Sequence, residues 1–340
     1  MKTVLLLFGG ESSEHDVSTA SAKNVSQALD LKKFIVAYAY IDPKGEWWSV
    51  TAISERQGEG ARRLLPLFGK GAFLIEGTDE MIIPDVILPI LHGRNGEDGA
   101  VQAVAQLLHI PIVGCDMTSS AAAMNKYITK QIAMVNNINV ATFGVHYATD
   151  AMPDFDVLAK NIGETIFIKP ANAGSSIGVH KVASQTELDA ALQDAHQHDD
   201  IVLMEKAVNA RELEVGVLGN YPNIEVSVVG EIKPDGDFYS YDSKYDQASA
   251  SQVMIPAEIA SEISDQLRQQ AAQIFHVLGG SGMARVDFFL DKDTQEIFLN
   301  EVNTIPGFTD ISMYPKLWEQ SGVAYPALIE KLIELAIVKK

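Results

Sequence analysis

The run Met283-Ala284-Arg285-Val286-Asp287-Phe288-Phe289, followed by Phe298-Leu299-Asn300-Glu301-Val302-Asn303-Thr304-Ile305-Pro306-Gly307, decides how this chain is read. Both pieces are apolar, aromatic and β-branched, the composition of strands. Asp291-Lys292-Asp293-Thr294-Gln295 between them is polar and turn-like, so a hairpin is expected. Side chains alternate faces along a strand. Arg285 and Asp287 therefore share one face, as do Glu301 and Asn303, and in-register pairing makes the two faces coincide. Two carboxylates, a carboxamide and a guanidinium then meet at one place. Oxygen ligands this few suit Mg²⁺, which completes its octahedron with water and nucleotide phosphates. Alternating charges on a solvated sheet face give the same pattern, so the hairpin needs support from the rest of the chain.

Length and composition bound the answer. The chain has 340 residues, beyond the roughly 250–300 at which a single core stops growing, so two or three domains are expected. Apolar residues make up 47%, enough for packed cores, and the formal charge of −19 argues against binding nucleic acid or an anionic membrane. The single cysteine, Cys115, allows no intramolecular disulfide and reads as a small buried hydrophobe. Val4-Leu5-Leu6-Leu7-Phe8 is too short for a signal sequence, and no apolar run approaches membrane-spanning length. A soluble, cytoplasmic chain is expected.

The first 115 or so residues alternate strand and helix. Residues 3–8 and Ile35–Ile41 read as strands around a helix that runs through Leu29, with Ser12 and Ser13 as N-cap candidates. Asp85–Leu91 reads as a strand, Ala100–Leu108 as a helix and Ile110–Val113 as a short strand. This predicts an open α/β sheet. Thr118–Val135 reads as one helix. Strands at Thr165–Lys169, Val179–Val182 and Ile201–Glu205, with a helix at Leu188–His196, predict a small α+β unit. Strands at Glu212–Leu218 and Glu225–Glu231, a polar stretch at Asp235–Ser251, a helix at Ala257–Leu278, the hairpin and a helix at Tyr325–Val338 complete the chain.

Four loops carry candidate chemistry. Ala171-Asn172-Ala173-Gly174-Ser175-Ser176-Ile177-Gly178 follows Lys169-Pro170, and its small residues let backbone N–H groups close over an anion. A strand rather than a helix follows it, so it is not a Walker A loop; a plain Gly/Ser turn is the competing reading. Glu205-Lys206-Ala207-Val208 ends an apolar strand with a charge and accessible backbone that could read the edge of a base. His92-Gly93-x-x-Gly96-Glu97-Asp98-Gly99 lies where open α/β sheets bind ligands, with Asp98 as a possible helix cap. Tyr239–Asp246 is a polar, aromatic stretch of the kind that forms lids.

Taken in order, these segments resemble the D-alanine–D-alanine ligases of the ATP-grasp superfamily. The resemblance rests on Gly9-Gly10-x-Ser12-x-Glu14, His92–Gly99, Met124-x-Lys126, Lys169-Pro170, Gly174–Gly178, Lys244-Tyr245, Arg285-x-Asp287 and Glu301-x-Asn303-x-x-Pro306-Gly307. It implies a three-domain ATP-grasp architecture of mixed α/β and α+β class. Residues 1–115 would form an N-terminal α/β domain that binds the first D-alanine. Residues 116–205 would form a central subdomain with the phosphate loop. Residues 206–340 would form a C-terminal subdomain with lid and metal hairpin.

The resemblance implies that ATP phosphorylates the carboxylate of one D-alanine and that the amine of a second attacks the acyl phosphate. It implies two Mg²⁺ ions, with Mn²⁺ as a substitute, held by Asp287, Glu301 and Asn303. Lys126 and Lys169 would contact phosphates, and Ser175 and Ser176 would lie in the loop over them. Glu205, Lys206, Ala207, Val208, Glu212, Phe238 and Asn300 would complete the ATP site. Glu14 would pair with the first ammonium group, and His92 would line that substrate site. Arg285 and the Gly307 N–H would stabilise the oxyanion. Lys244, Ser312 and Met313 would meet the second D-alanine, and Tyr245, Ser175 and Glu212 would latch the lid. A homodimer is implied by resemblance alone.

Two departures matter. Asp310-Ile311 stands where relatives commonly carry Ser-His, and Met313 where some makers of other products carry arginine. The resemblance implies that Tyr245, which makers of D-alanyl-D-lactate tend to replace, favours an amine acceptor over a hydroxy acid. D-serine or D-lactate as acceptor, and a non-catalytic ATP-binding relative, are the competing readings.

Overall fold

The computed structural model describes residues 1–55, 60–233 and 252–338. Val4–Phe8 forms the heart of β1 (Lys2–Gly9), and all five side chains are fully buried. A strand covered on both faces reads as an unbroken apolar run. Helix α1 (His15–Ala28) leads from it to β2 (Phe34–Ile41), parallel to β1. An antiparallel arm follows: β3 (Trp47–Val50), β4 (Arg62–Leu67), β5 (Ala72–Ile75) and β6 (Met81–Ile82). Strand β7 (Val86–Leu91) returns parallel to β1 on its other side, completing the order β6-β5-β4-β3-β2-β1-β7. Pro89 sits in this edge strand, where a missing N–H is tolerated.

Helix α2 (Ala100–Leu108) has the predicted bounds, and Asp98 accepts the N–H of Ala100 at its start. Ile110–Val113 is not a strand; it makes a single bridge, Ile112 to Ile87. Ser12 is not the cap of α1. Its hydroxyl accepts the Glu14 N–H and donates to the His92 carbonyl, tying two loops together. The predicted helix over Thr118–Val135 is two helices, α3 (Met117–Met124) and α4 (Lys126–Val135). Asn125 breaks the run because its side chain accepts the Ile128 N–H and starts α4 as an N-cap.

The central unit holds β8 (Phe143–Tyr147), α5 (Phe155–Asn161), β9 (Ile166–Pro170), β10 (His180–Val182), α6 (Gln185–Ala195) and β11 (Ile201–Lys206). Its sheet is antiparallel with order β10-β9-β11-β8. A third, antiparallel sheet has order β14-β13-β12-β15-β16. It contains β12 (Ala210–Asn220), β13 (Asn223–Lys233), β14 (Gln252–Met254), β15 (Gly282–Asp291) and β16 (Ile297–Asn303), with α7 (Ser261–Val277) packed on β12 and β13. Helices α8 (Met313–Gln320) and α9 (Tyr325–Val338) close the fold. Leu328, Ile329, Leu332 and Ile333 of α9 share one core with Val4, Leu6 and Phe8 of β1.

Candidate active site

The hairpin pairs as its sequence predicts. Arg285 lies opposite Asn303 and Asp287 opposite Glu301, with the ladder continuing to Glu214 on β12. Arg285 clamps Asp287 through Nε and an Nη at 2.8 and 2.7 Å, and its Nε lies 3.0 Å from Glu214 Oε2. Asn303 Nδ2 donates to Asp287 Oδ2 at 3.0 Å. Burial alone would make the Arg285 guanidinium less basic, but Asp287, Glu214 and Glu301 outweigh it and hold its pKa well above the ordinary value. Glu214 was not read from the sequence; its period-two spacing from Glu212 is the signal that could have found it. A bulge after Asp287 leaves Asn300 without a register partner.

Among the described residues, no three His, Cys, Asp or Glu side chains are gathered to hold a metal. The donor set is two carboxylates and a carboxamide, all hard oxygens. It fits a cation that takes its other ligands from water and phosphate.

A cavity of about 380 Å³ opens beside this cluster, lined by Glu14, His92, Lys126, Ser175, Arg285 and Gly307 among others. Glu14 and His92 come from loops at the carboxyl ends of the adjacent parallel strands β1 and β7. The Glu14 carboxylate is packed so close that a Cβ on Gly93 would lie 2.9 Å from its Oε2. His92 Nδ1 faces the Ile305 carbonyl at 3.1 Å, so that nitrogen carries the proton and Nε2 accepts from Ser21 at 3.4 Å. Burial lowers the His92 pKa, against the pull of Glu14. Glu97 accepts the Gly93 N–H at 2.9 Å and also lines the cavity. Burial and the neighbouring Glu14 charge push its pKa up to about 8. The sequence reading gave Glu97 no role.

The 171–178 loop is pinned by the start of α4. Lys126 N donates to the Ala171 carbonyl, its Nζ to the Ala173 carbonyl at 2.6 Å, and Asn125 Nδ2 to Asn172 Oδ1 at 2.8 Å. Lys126 Nζ is also 3.7 Å from Glu301. Ser175 and Ser176 both have positive φ, 52° and 59°, a conformation that non-glycine residues adopt at a cost.

Glu205 and Lys169 are diagonal neighbours on one face of the central sheet, and Lys169 Nζ is 3.4 Å from Glu205 Oε2. Lys169, expected on phosphates, is thus placed beside Glu205. Lys130, missed in the sequence, lies 3.2 Å from the same oxygen. The Ala207 N–H bonds the Thr165 carbonyl and is therefore not available to a base. Lys206 is exposed, Val208 half-buried. Glu212, half-buried on β12, pairs in register with Phe289.

At the far side of the cavity, a Cβ on Gly307 would lie 2.6 Å from Ser312 Oγ. The Thr309 N–H donates to that hydroxyl at 2.9 Å. Met313 and Lys316 on α8 complete this wall. Phe238, Lys244 and Tyr245 lie outside the described residues.

Two family models cover nearly the whole chain: the D-ala D-ala ligase N-terminus matches residues 3–115 and the D-ala D-ala ligase C-terminus residues 131–334. The chain belongs to the D-alanine–D-alanine ligase family. It is 41% identical to the D-alanine–D-alanine ligase of Clostridium acetobutylicum, over 98% of each chain. It is 43% identical to that of Oceanobacillus iheyensis, over 99% of this chain and 95% of the relative. Among solved structures, it resembles the VanG D-Ala:D-Ser ligase of Enterococcus faecalis with a TM-score of 0.90 and 34% identity, covering 98% of this chain and 99% of that one. The D-alanine–D-alanine ligase of Coxiella burnetii matches with a TM-score of 0.88 and 33% identity, over 99% of this chain and 94% of the other. The family accounts for the ATP-grasp fold class expected from the sequence, and no described helix is long and apolar enough to cross a membrane.

Proposed function

We propose that this protein joins two D-alanine molecules at the expense of ATP, through an acyl phosphate, for peptidoglycan precursor synthesis. The observation that carries this reading is the convergence of the Arg285–Asp287–Glu301–Asn303 cluster, the strained phosphate loop and Glu14 on one cavity. Glu14 offers a buried carboxylate to an ammonium group. Arg285 is held rigidly enough to stabilise an oxyanion without reorganising, with the Gly307 N–H as second donor. Asp287, Glu301 and Asn303 would hold two Mg²⁺ ions, or Mn²⁺ in their place, which supply charge neutralisation at the β- and γ-phosphates. Lys126 and the loop bearing Ser175 and Ser176 would receive phosphate. Ser312, Met313 and Lys244 would meet the acceptor, and Tyr245 would close over it. We assign the three functional units to residues 1–115, 116–205 and 206–340, and a cytoplasmic homodimer as the working form.

The test is phosphate release from Mg–ATP by the purified protein, with products identified by mass. D-Alanine-dependent release and the D-alanyl-D-alanine mass are expected; no release with any acceptor would overturn the reading. D-Serine is the second acceptor to assay, because a D-Ala:D-Ser ligase is among the similar structures and Asp310-Ile311 lies beside Ser312. D-Lactate should perform poorly if Tyr245 closes the lid.

A further inference from the structure

Lys130 is a lysine with 1% of its side chain exposed, facing a carboxylate, Glu205, that is 2% exposed. It sits one helical turn beyond Lys126 on α4, so one helix face carries both ammonium groups into the site. Lys130 and Lys169 approach the same oxygen of Glu205, Oε2, at 3.2 and 3.4 Å. Among the described residues the other oxygen, Oε1, has no donor. Lys130 Nζ lies over the Phe143 ring, while Lys169 Nζ lies over Phe167 and Phe289, so aromatic rings flank the carboxylate. With both lysines on Oε2, Oε1 is the side of the carboxylate left to accept from a ligand.

Two lysines on one carboxylate are more than its charge needs. Lys169 follows directly before the phosphate loop, while Lys130 is fixed deep in a helix. If Lys169 turns to a phosphate, removing it would leave Glu205 as an uncompensated buried charge unless a second cation stays behind.

We propose that Lys130 is a positioning residue for base recognition: it is the resident counter-ion of Glu205, holding Oε2 so that Oε1 accepts from an exocyclic amine while Lys169 serves phosphate. This rests on the reading of the Glu205 strand end as the base site. An acceptor-only carboxylate selects a base bearing an amine there and rejects one bearing a carbonyl.

Calorimetric binding of ATP and ITP, which differ there by amine against carbonyl, tests it in the full-length protein. Wild type is expected to prefer ATP by roughly ten- to a hundredfold. Lys130→Met should lose most of that preference by weakening ATP binding about tenfold, with ITP nearly unchanged. Lys130→Arg should retain it. A lysine with a purely structural role would lower the melting temperature and leave the ATP/ITP ratio intact, and that result overturns the proposal. Glu205→Gln should abolish the preference; retention overturns the proposal whether or not Lys130→Met folds. D-Alanine-dependent phosphate release from ATP, run in parallel on wild type, reports separately on the ligase reading.

Discussion

Glu97 puts a proton beside Glu14, where two neighbouring carboxylates would otherwise both be charged. Its carboxyl, raised to about 8 by burial and by Glu14, is neutral in the folded protein over a range where the unfolded chain ionises it near 4.5. A raised carboxyl stabilises the fold fully below the lower value, and that contribution is lost as pH rises towards the upper one. Melting temperature should therefore fall between about pH 4.5 and about pH 8. Glu97→Gln, which cannot ionise, should flatten that fall. An unchanged slope in thermal denaturation across this window would show that Glu97 does not titrate there. Arg285 is the opposite case at the same scale: three carboxylates fix its charge at any working pH.

Asn125 does two jobs at the junction of α3 and α4. Its oxygen caps α4 and its nitrogen holds Asn172 at the start of the 171–178 loop. Asn125→Ala should cost about 1–2 kcal/mol of stability in denaturant titration. Asn125→Asp keeps the capping oxygen but loses the donor. It should restore most of that stability while still raising the KM for ATP, and a KM unchanged in both variants would separate the cap from the loop. This junction also marks the limit of what sequence showed. Residues 118–135 are all compatible with one helix, and nothing local says that the Asn125 side chain will outcompete helix continuation. The hairpin was legible because its charges repeat at period two around a short polar turn. Strands β3 to β6 were not, because they are only two to six residues long and alternate poorly. In the site, Glu14, Arg285, Asp287 and Asn303 were legible in their motifs. Lys130 was not, since a lysine on a helix ordinarily faces water and only tertiary packing buries it.

The third sheet meets the chain where it leaves residues 1–115. Gly282 has φ +70°, and a Cβ there would lie 2.8 Å from Gly114 Cα. Ser281 donates to the Gly114 carbonyl at 2.9 Å, so two backbones cross with no room between them. Gly282→Ala should destabilise by about 2 kcal/mol or more, from the strained φ and the forced separation together. Urea denaturation checks this, and a loss below about 0.5 kcal/mol would mean that the crossing yields.

Helix α9 reaches back across the molecule to finish the core begun by β1. During synthesis residues 2–9 leave the ribosome well before residues 325–338. The apolar face that Leu328, Ile329, Leu332 and Ile333 cover must then wait, uncovered by them, while the residues between are made. Final consolidation of the first sheet thus waits for residues 325–338 to be made. Over that interval the nascent chain exposes apolar surface that is prone to wrong contacts, although the sheet that needs the cover was made early.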